Sequence, residues 1–175
     1  MRVLLVVPAA ALVAVAAAGA ATANFTPAWT YVPTPLRSTL AAASGGSLYL
    51  PARTPLFYRY RAGATVSEGM LSVRFTNRVR IRKGVWRWTK QSFLWQVRPL
   101  PPATACTTWA HAGKTLQVDG NKVYWSADTS AGGTAWRCVT DRRGHARVLV
   151  ASEGGALPDV ALAIVVASGL EVAHH

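Results

Sequence analysis

MLSVRFTNRVRIRKGVWRWTKQSFLWQVRPL, residues 70 to 100, decides the fold of this chain and holds eight of its basic residues and three of its seven Trp. From residue 71 to residue 81 the pattern alternates. Leu71, Val73, Phe75, Val79 and Ile81 take one parity, and Ser72, Arg74, Thr76, Arg78 and Arg80 take the other. Asn77 is the one polar residue on the apolar parity. Successive side chains of a strand project from opposite faces, so this is a strand with an apolar side and a cationic side. Val85 to Val97, rich in Trp, Thr, Phe and Val, reads as the return strand of a β-hairpin turning at Arg82-Lys83-Gly84.

Two registers compete for that hairpin. A three-residue loop Arg82-Lys83-Gly84, with Gly84 left-handed, sets Arg80 against Trp86 and Arg78 against Trp88. That arrangement is a ladder of guanidinium groups over indole rings, each pair worth about 0.5–1 kcal/mol when exposed. A two-residue loop Lys83-Gly84 instead pairs Ile81 with Trp86 and Val79 with Trp88, so that both indoles join the apolar face. Its cost is Arg80 opposite Arg87, a like-charge pair. A one-residue slip exchanges the faces, and burial of two indoles favours the second register.

Outward from the hairpin, the N-terminus reads as a secretory signal over residues 1–23. Arg2 is its charged start, Val3 to about Ala20 its apolar stretch and Ala21-Thr22-Ala23 an A-x-A cleavage site. The apolar stretch is also long enough to serve as an uncleaved anchor. Either outcome places the remainder outside the cytoplasm. Cleavage leaves 175 − 23 = 152 residues, one domain's worth. The charge then becomes 18 − 7 = +11, since Arg2 leaves with the signal. Arg far outnumbers Lys, and Ala, Val and Gly abound, which points to GC-rich coding and a bacterial origin.

Cys106 and Cys138 are the only cysteines. In an exported chain they form one disulfide, stabilising by about 3–4 kcal/mol in the chain-entropy model. Two isolated thiols lack the spacing of a zinc ligand set, and no metal or other cofactor is expected. Trp109, Trp125 and Trp136 lie between them, which suggests an immunoglobulin domain, but the cysteines are too close together for that sandwich.

The other segments complete a mainly β reading. Residues 24–46 form a Pro-rich arm, in which Thr34-Pro35 starts a short helix through Ala43 and Gly45-Gly46 ends it. Residues 47–175 are the β-rich domain. Ser47 to Leu50 and Pro55 to Arg61 read as short strands, the latter with Leu56, Tyr58 and Tyr60 on one face and Phe57, Arg59 and Arg61 on the other. Gly63 to Gly69 reads as a turn. A second hairpin turns at Gly120-Asn121, pairing Val118 with Val123 and Leu116 with Trp125. A third, with strands 135–140 and 146–151, turns around Arg142-Arg143-Gly144. Pro158-Asp159 opens an apolar helix that Gly169 ends, although Ile164-Val165-Val166 suits a strand as well. The expectation is an antiparallel sandwich or open barrel of seven to nine strands, with one C-terminal helix and one disulfide.

Catalytic chemistry finds little support in the residues. Acid–base enzymes need paired carboxylates or a His oriented by an acid. Only seven acids are present, of which Asp119 and Asp141 fall in turns and Glu68 and Glu153 in loops beside Gly. His111 and Asp119 could be joined with a Ser, but no spacing selects them, and no G-x-S-x-G elbow exists. The reading is therefore non-catalytic. An exported basic domain associates with the cell envelope or an anionic polymer through a hairpin surface of Arg74, Arg78, Arg80, Arg82, Arg87, Trp86 and Trp88. Partners would be an anionic envelope polymer, a glycan or an acidic protein surface. Genomic nucleic acid is not expected, and a membrane enters only if the signal stays uncleaved. For a glycan, Trp86, Trp88, Trp95 and Trp125 are the stacking candidates. The alternatives are a structural or protein-interaction domain whose Arg face confers solubility, and a hydrolase with an unrecognised site.

Overall fold

The computed structural model describes residues 25–26, 32–55, 57–109, 113–128, 132–153, 157 and 159–172. The signal segment, His111 and the C-terminal His174-His175 lie outside them. The chain is mainly β and antiparallel, with a C-terminal helix and one disulfide, as its patterning predicts.

The dominant element is one large sheet. Its strands are β4 (Tyr58–Tyr60), β5 (Thr65–Ser67), β6 (Met70–Arg82), β7 (Val85–Pro99), β8 (Lys114–Val118), β9 (Asn121–Asp128), β10 (Gly132–Thr140) and β11 (Ala146–Glu153). Their order across the sheet is β4-β6-β7-β11-β10-β9-β8, with β5 paired to β6. Leu71, Val73, Phe75, Phe93, Trp95, Leu149, Ala151, Ala135 and Val123 form the buried inner face. A second, sandwich-like layer covers it. Helix α2 (Asp159–Ala167) packs on β9, β10 and β11. A ribbon of β2 (Leu48–Pro51) and β12 (Gly169–Val172) lies beside it, and the Trp95 indole N–H donates to the Tyr49 carbonyl at 3.0 Å. Gly169 fits this contact because it has no side chain. A Cβ there would stand 2.9 Å from the Trp95 ring and closer still to Leu149.

Helix α1 (Thr34–Ala43) follows Pro33, and Gly45 and Gly46 at positive φ end it. No side chain caps its start; the Thr34 hydroxyl instead accepts from Arg37 at 2.6 Å. Short strands β1 (Phe25–Thr26) and β3 (Thr54–Pro55) pair with each other.

Three local expectations are corrected. The segment read as a turn over 63–69 contains β5, which folds back on β6 through Glu68-Gly69, both at positive φ. In the second hairpin the turn is Asp119-Gly120, so Leu116 faces Val123 and Val118 faces Asn121. Both turn residues have positive φ, 49° and 75°, as a tight hairpin turn requires, and Asp-Gly supplies them better than Gly-Asn. The shift is by two residues, so each side chain keeps its face. The third correction concerns the first hairpin. Lys83-Gly84 does close the turn, with Arg82 opposite Val85, but the register shifts one step inward. Arg80 then faces Trp86 and Arg78 faces Trp88, the ladder register, and the indoles are not buried.

The reason is positional. The last pair of buried residues on β6 and β7 is Phe75–Phe93, and no residue from 77 to 91 is buried. Beyond that point no second layer exists to receive an indole. Burial gives no preference there, and the like-charge contact of Arg80 with Arg87 decides against the other register. An irregularity marks the boundary, where residues 89–91 of β7 oppose Asn77 alone. The third hairpin has the expected strands and turn, and pairs Trp136 with Val150 and Thr140 with Ala146.

Candidate binding surface

The distal half of the β6–β7 hairpin projects past the core, and its outer face continues the cationic parity of Arg74. On it Arg78, Arg80, Trp86 and Trp88 stand side by side. The Arg78 guanidinium lies over the Trp86 ring, 4.5 Å from its centroid, and Arg61 lies over Trp88 at 5.5 Å. Each ring offers the negative face of its quadrupole to a cation, which holds both partners in fixed positions. Phe57 adds a third ring, 5.4 Å from Trp86. It does so from φ 75°, a left-handed backbone that a bulky residue rarely adopts. The Arg78 backbone N–H donates to the Phe57 carbonyl at 3.1 Å, so β4 meets the hairpin at this residue.

Of the residues expected to form a site, the structure brings Arg74, Arg78, Arg80, Trp86 and Trp88 to one face. Arg74 is tied to Ser92 at 3.0 Å. Arg82 stands at the turn. Arg87 faces Val79 on the opposite side of the ribbon, away from the ladder. None of these arginines is paired with a carboxylate among the described residues. Phe57 and Arg61 join the surface from the residues just before and just after β4. Their parity was readable, but the pairing of β4 with β6 that carries them there was not. Trp95 is fully buried and cannot serve as a stacking platform, while Trp125 is half-buried on the inner face with Lys114 over its ring at 5.3 Å.

Two other places hold polar or aromatic clusters. Asp141, fully buried, accepts from the backbone N–H groups of Arg143 and His145 at 2.9 and 2.8 Å and from Arg147 Nε at 3.0 Å. Burial works to raise its pKa, but these three donors outweigh it and hold the carboxyl below the usual range. The Ser47 hydroxyl lies 3.4 Å from Asp141 and 3.1 Å from Glu171, and links the turn to β12. Tyr49 beside them is pushed up to about 12, first by burial and then by the Glu171 and Asp141 charges. Every group here faces another protein group, so the arrangement acts as a staple between the sheet and the ribbon.

On the outer face of β10 and β11, Trp136, Val148 and Val150 form a second apolar cluster with Leu100, Trp109 and Tyr124. The Cys106–Cys138 disulfide, with Cα atoms 5.5 Å apart, pins the segment after β7 against it. A cleft of about 400 Å³ opens between Arg98, Leu100, Trp109 and Trp136. The disulfide marks an oxidising, extracytoplasmic environment. No helix among the described residues is long and apolar enough to cross a membrane. The chain matches no protein-family model, no curated protein and no solved structure.

Proposed function

We propose that this protein is a non-catalytic extracytoplasmic domain, exported by its N-terminal signal, that associates with the cell envelope by holding an anionic surface against its projecting hairpin. The observation that carries this reading is the Arg78–Arg80–Trp86–Trp88 face, in which Arg80, Trp86 and Trp88 are exposed and Arg78 is half-buried against Trp86, and which pairs with no carboxylate among the described residues. Guanidinium groups give bidentate contacts to phosphate, sulfate or carboxylate groups. The rings offer stacking area that does not depend on the sequence of a polymer.

The test is retention on a polyanion column and on purified envelope as salt is raised. Retention should fall log-linearly with salt, and each of Arg78→Gln and Arg80→Gln should lower the slope by about one. Retention unchanged by Arg→Gln substitution at positions 74, 78, 80 and 82 together overturns the reading.

A further inference from the structure

The charged face of the hairpin accounts for only half of what is exposed there. Eight large hydrophobic side chains are exposed among the described residues, and five of them lie in the hairpin tip: Val79, Ile81, Val85, Trp86 and Trp88. A sixth, Phe57, touches Trp86. Val79 and Val85 are on the face opposite the ladder, and Ile81, at the register shift, is 59% exposed, the most of any. Between residues 78 and 88 the chain carries Arg78, Arg80, Arg82, Lys83 and Arg87 and no acid.

We infer that the tip seats in the headgroup layer of an anionic lipid bilayer, with Ile81, Val79 and Val85 entering toward the acyl chains. Trp86 and Trp88 then lie at the interface, and the cations contact lipid phosphates. The inference rests on the envelope reading above and names its partner. Three observations select lipid over other occupants. A polymer laid on the ladder meets one face and leaves Val79 and Val85 in water. A second copy of this chain would bring two sets of five cations together without one carboxylate between them. An interface with anionic headgroups at one depth and hydrocarbon below it satisfies both faces, since Arg stems reach back to phosphates and indoles prefer that boundary.

The experiment uses the full chain with vesicles of mixed phosphatidylglycerol and phosphatidylcholine, with pure phosphatidylcholine vesicles, and with soluble dextran sulfate. Every variant carries the same residues 1–23, so any affinity of that segment cancels in the comparison. On phosphatidylglycerol vesicles the Trp emission should shift to the blue and be quenched by brominated acyl chains, and W86F/W88F should abolish that change. Each Arg→Gln in the tip should weaken partitioning about fivefold. V79S/I81S/V85S, which alters exposed residues only, should weaken it about tenfold or more while leaving dextran sulfate binding as it was. If dextran sulfate binding is intact and Arg-dependent but the triple variant partitions like the parent, insertion is overturned and the envelope reading stands. An equal emission shift on neutral vesicles overturns the anionic requirement. Absence of binding to both vesicles and dextran sulfate overturns inference and reading together.

Discussion

Asp141 shows how a single side chain in a turn can stabilise more than the turn. From the sequence it was an Asx residue satisfying local backbone, and it does accept from Arg143 and His145. Its second oxygen holds the buried Arg147, and that contact was not legible, because nothing in the spacing says that the turn is covered by β2 and β12. Asp141→Asn should cost about 3–5 kcal/mol in chemical denaturation, since it strands Arg147 without its counter-charge. The pH dependence has a definite sign. A carboxyl held below its unfolded value of about 3.9 contributes stability that is full above that pH and lost as pH falls through the folded value. The Asn variant should therefore show a shallower acid limb. Tyr49 gives the opposite limb. Its phenol, neutral until about pH 12 when folded, ionises near 10 when unfolded, so stability falls as pH rises between the two. Alkaline titration followed by phenolate absorbance should show a late step, coincident with unfolding, that Tyr49→Phe removes.

At the scale of elements, strand positions were legible where alternation was clean, and pairing only where the turn was also placed rightly, which it was not for β8 and β9. The hairpin of β10 and β11 met both conditions. That of β6 and β7 met only the first, because its tip lies outside the core, where the rule that buries indoles has nothing to act on. The face that resulted was one of two readable alternatives; the contribution of Phe57 and Arg61 required knowing that β4 joins β6. Gly169 was read as a helix stop. It is also the point where the chain passes over Trp95, and Gly169→Ala should cost about 1–3 kcal/mol by overpacking, although Ala is otherwise the better residue in a strand. Thermal melts of this variant beside Gly63→Ala, where no atom lies within 4 Å of the added methyl but φ is +87°, would separate crowding from backbone strain.

Across the whole molecule, composition and two cysteines were enough to anticipate a basic, disulfide-bonded β domain, while the layering of helix and ribbon on one face was beyond reach of periodicity. The disulfide joins a strand to a loop rather than two sheets, so its removal should loosen the outer cluster first. Cys106→Ser with Cys138→Ser should lower stability by about 2–4 kcal/mol, and hydrogen exchange should rise around Trp109 and Trp136 before the inner face responds. The projection of the hairpin has a consequence for the rest of the surface charge. From Arg78, where β4 ends its contact, to Arg82 at the turn the strand rises about 13 Å, four steps of about 3.3 Å. That is longer than the distance over which salt weakens an electric potential about threefold, about 8 Å at physiological strength. Toward anything touched tip-first, the charges of the domain body are thus largely screened, and the tip's own cations dominate the field that its partner meets.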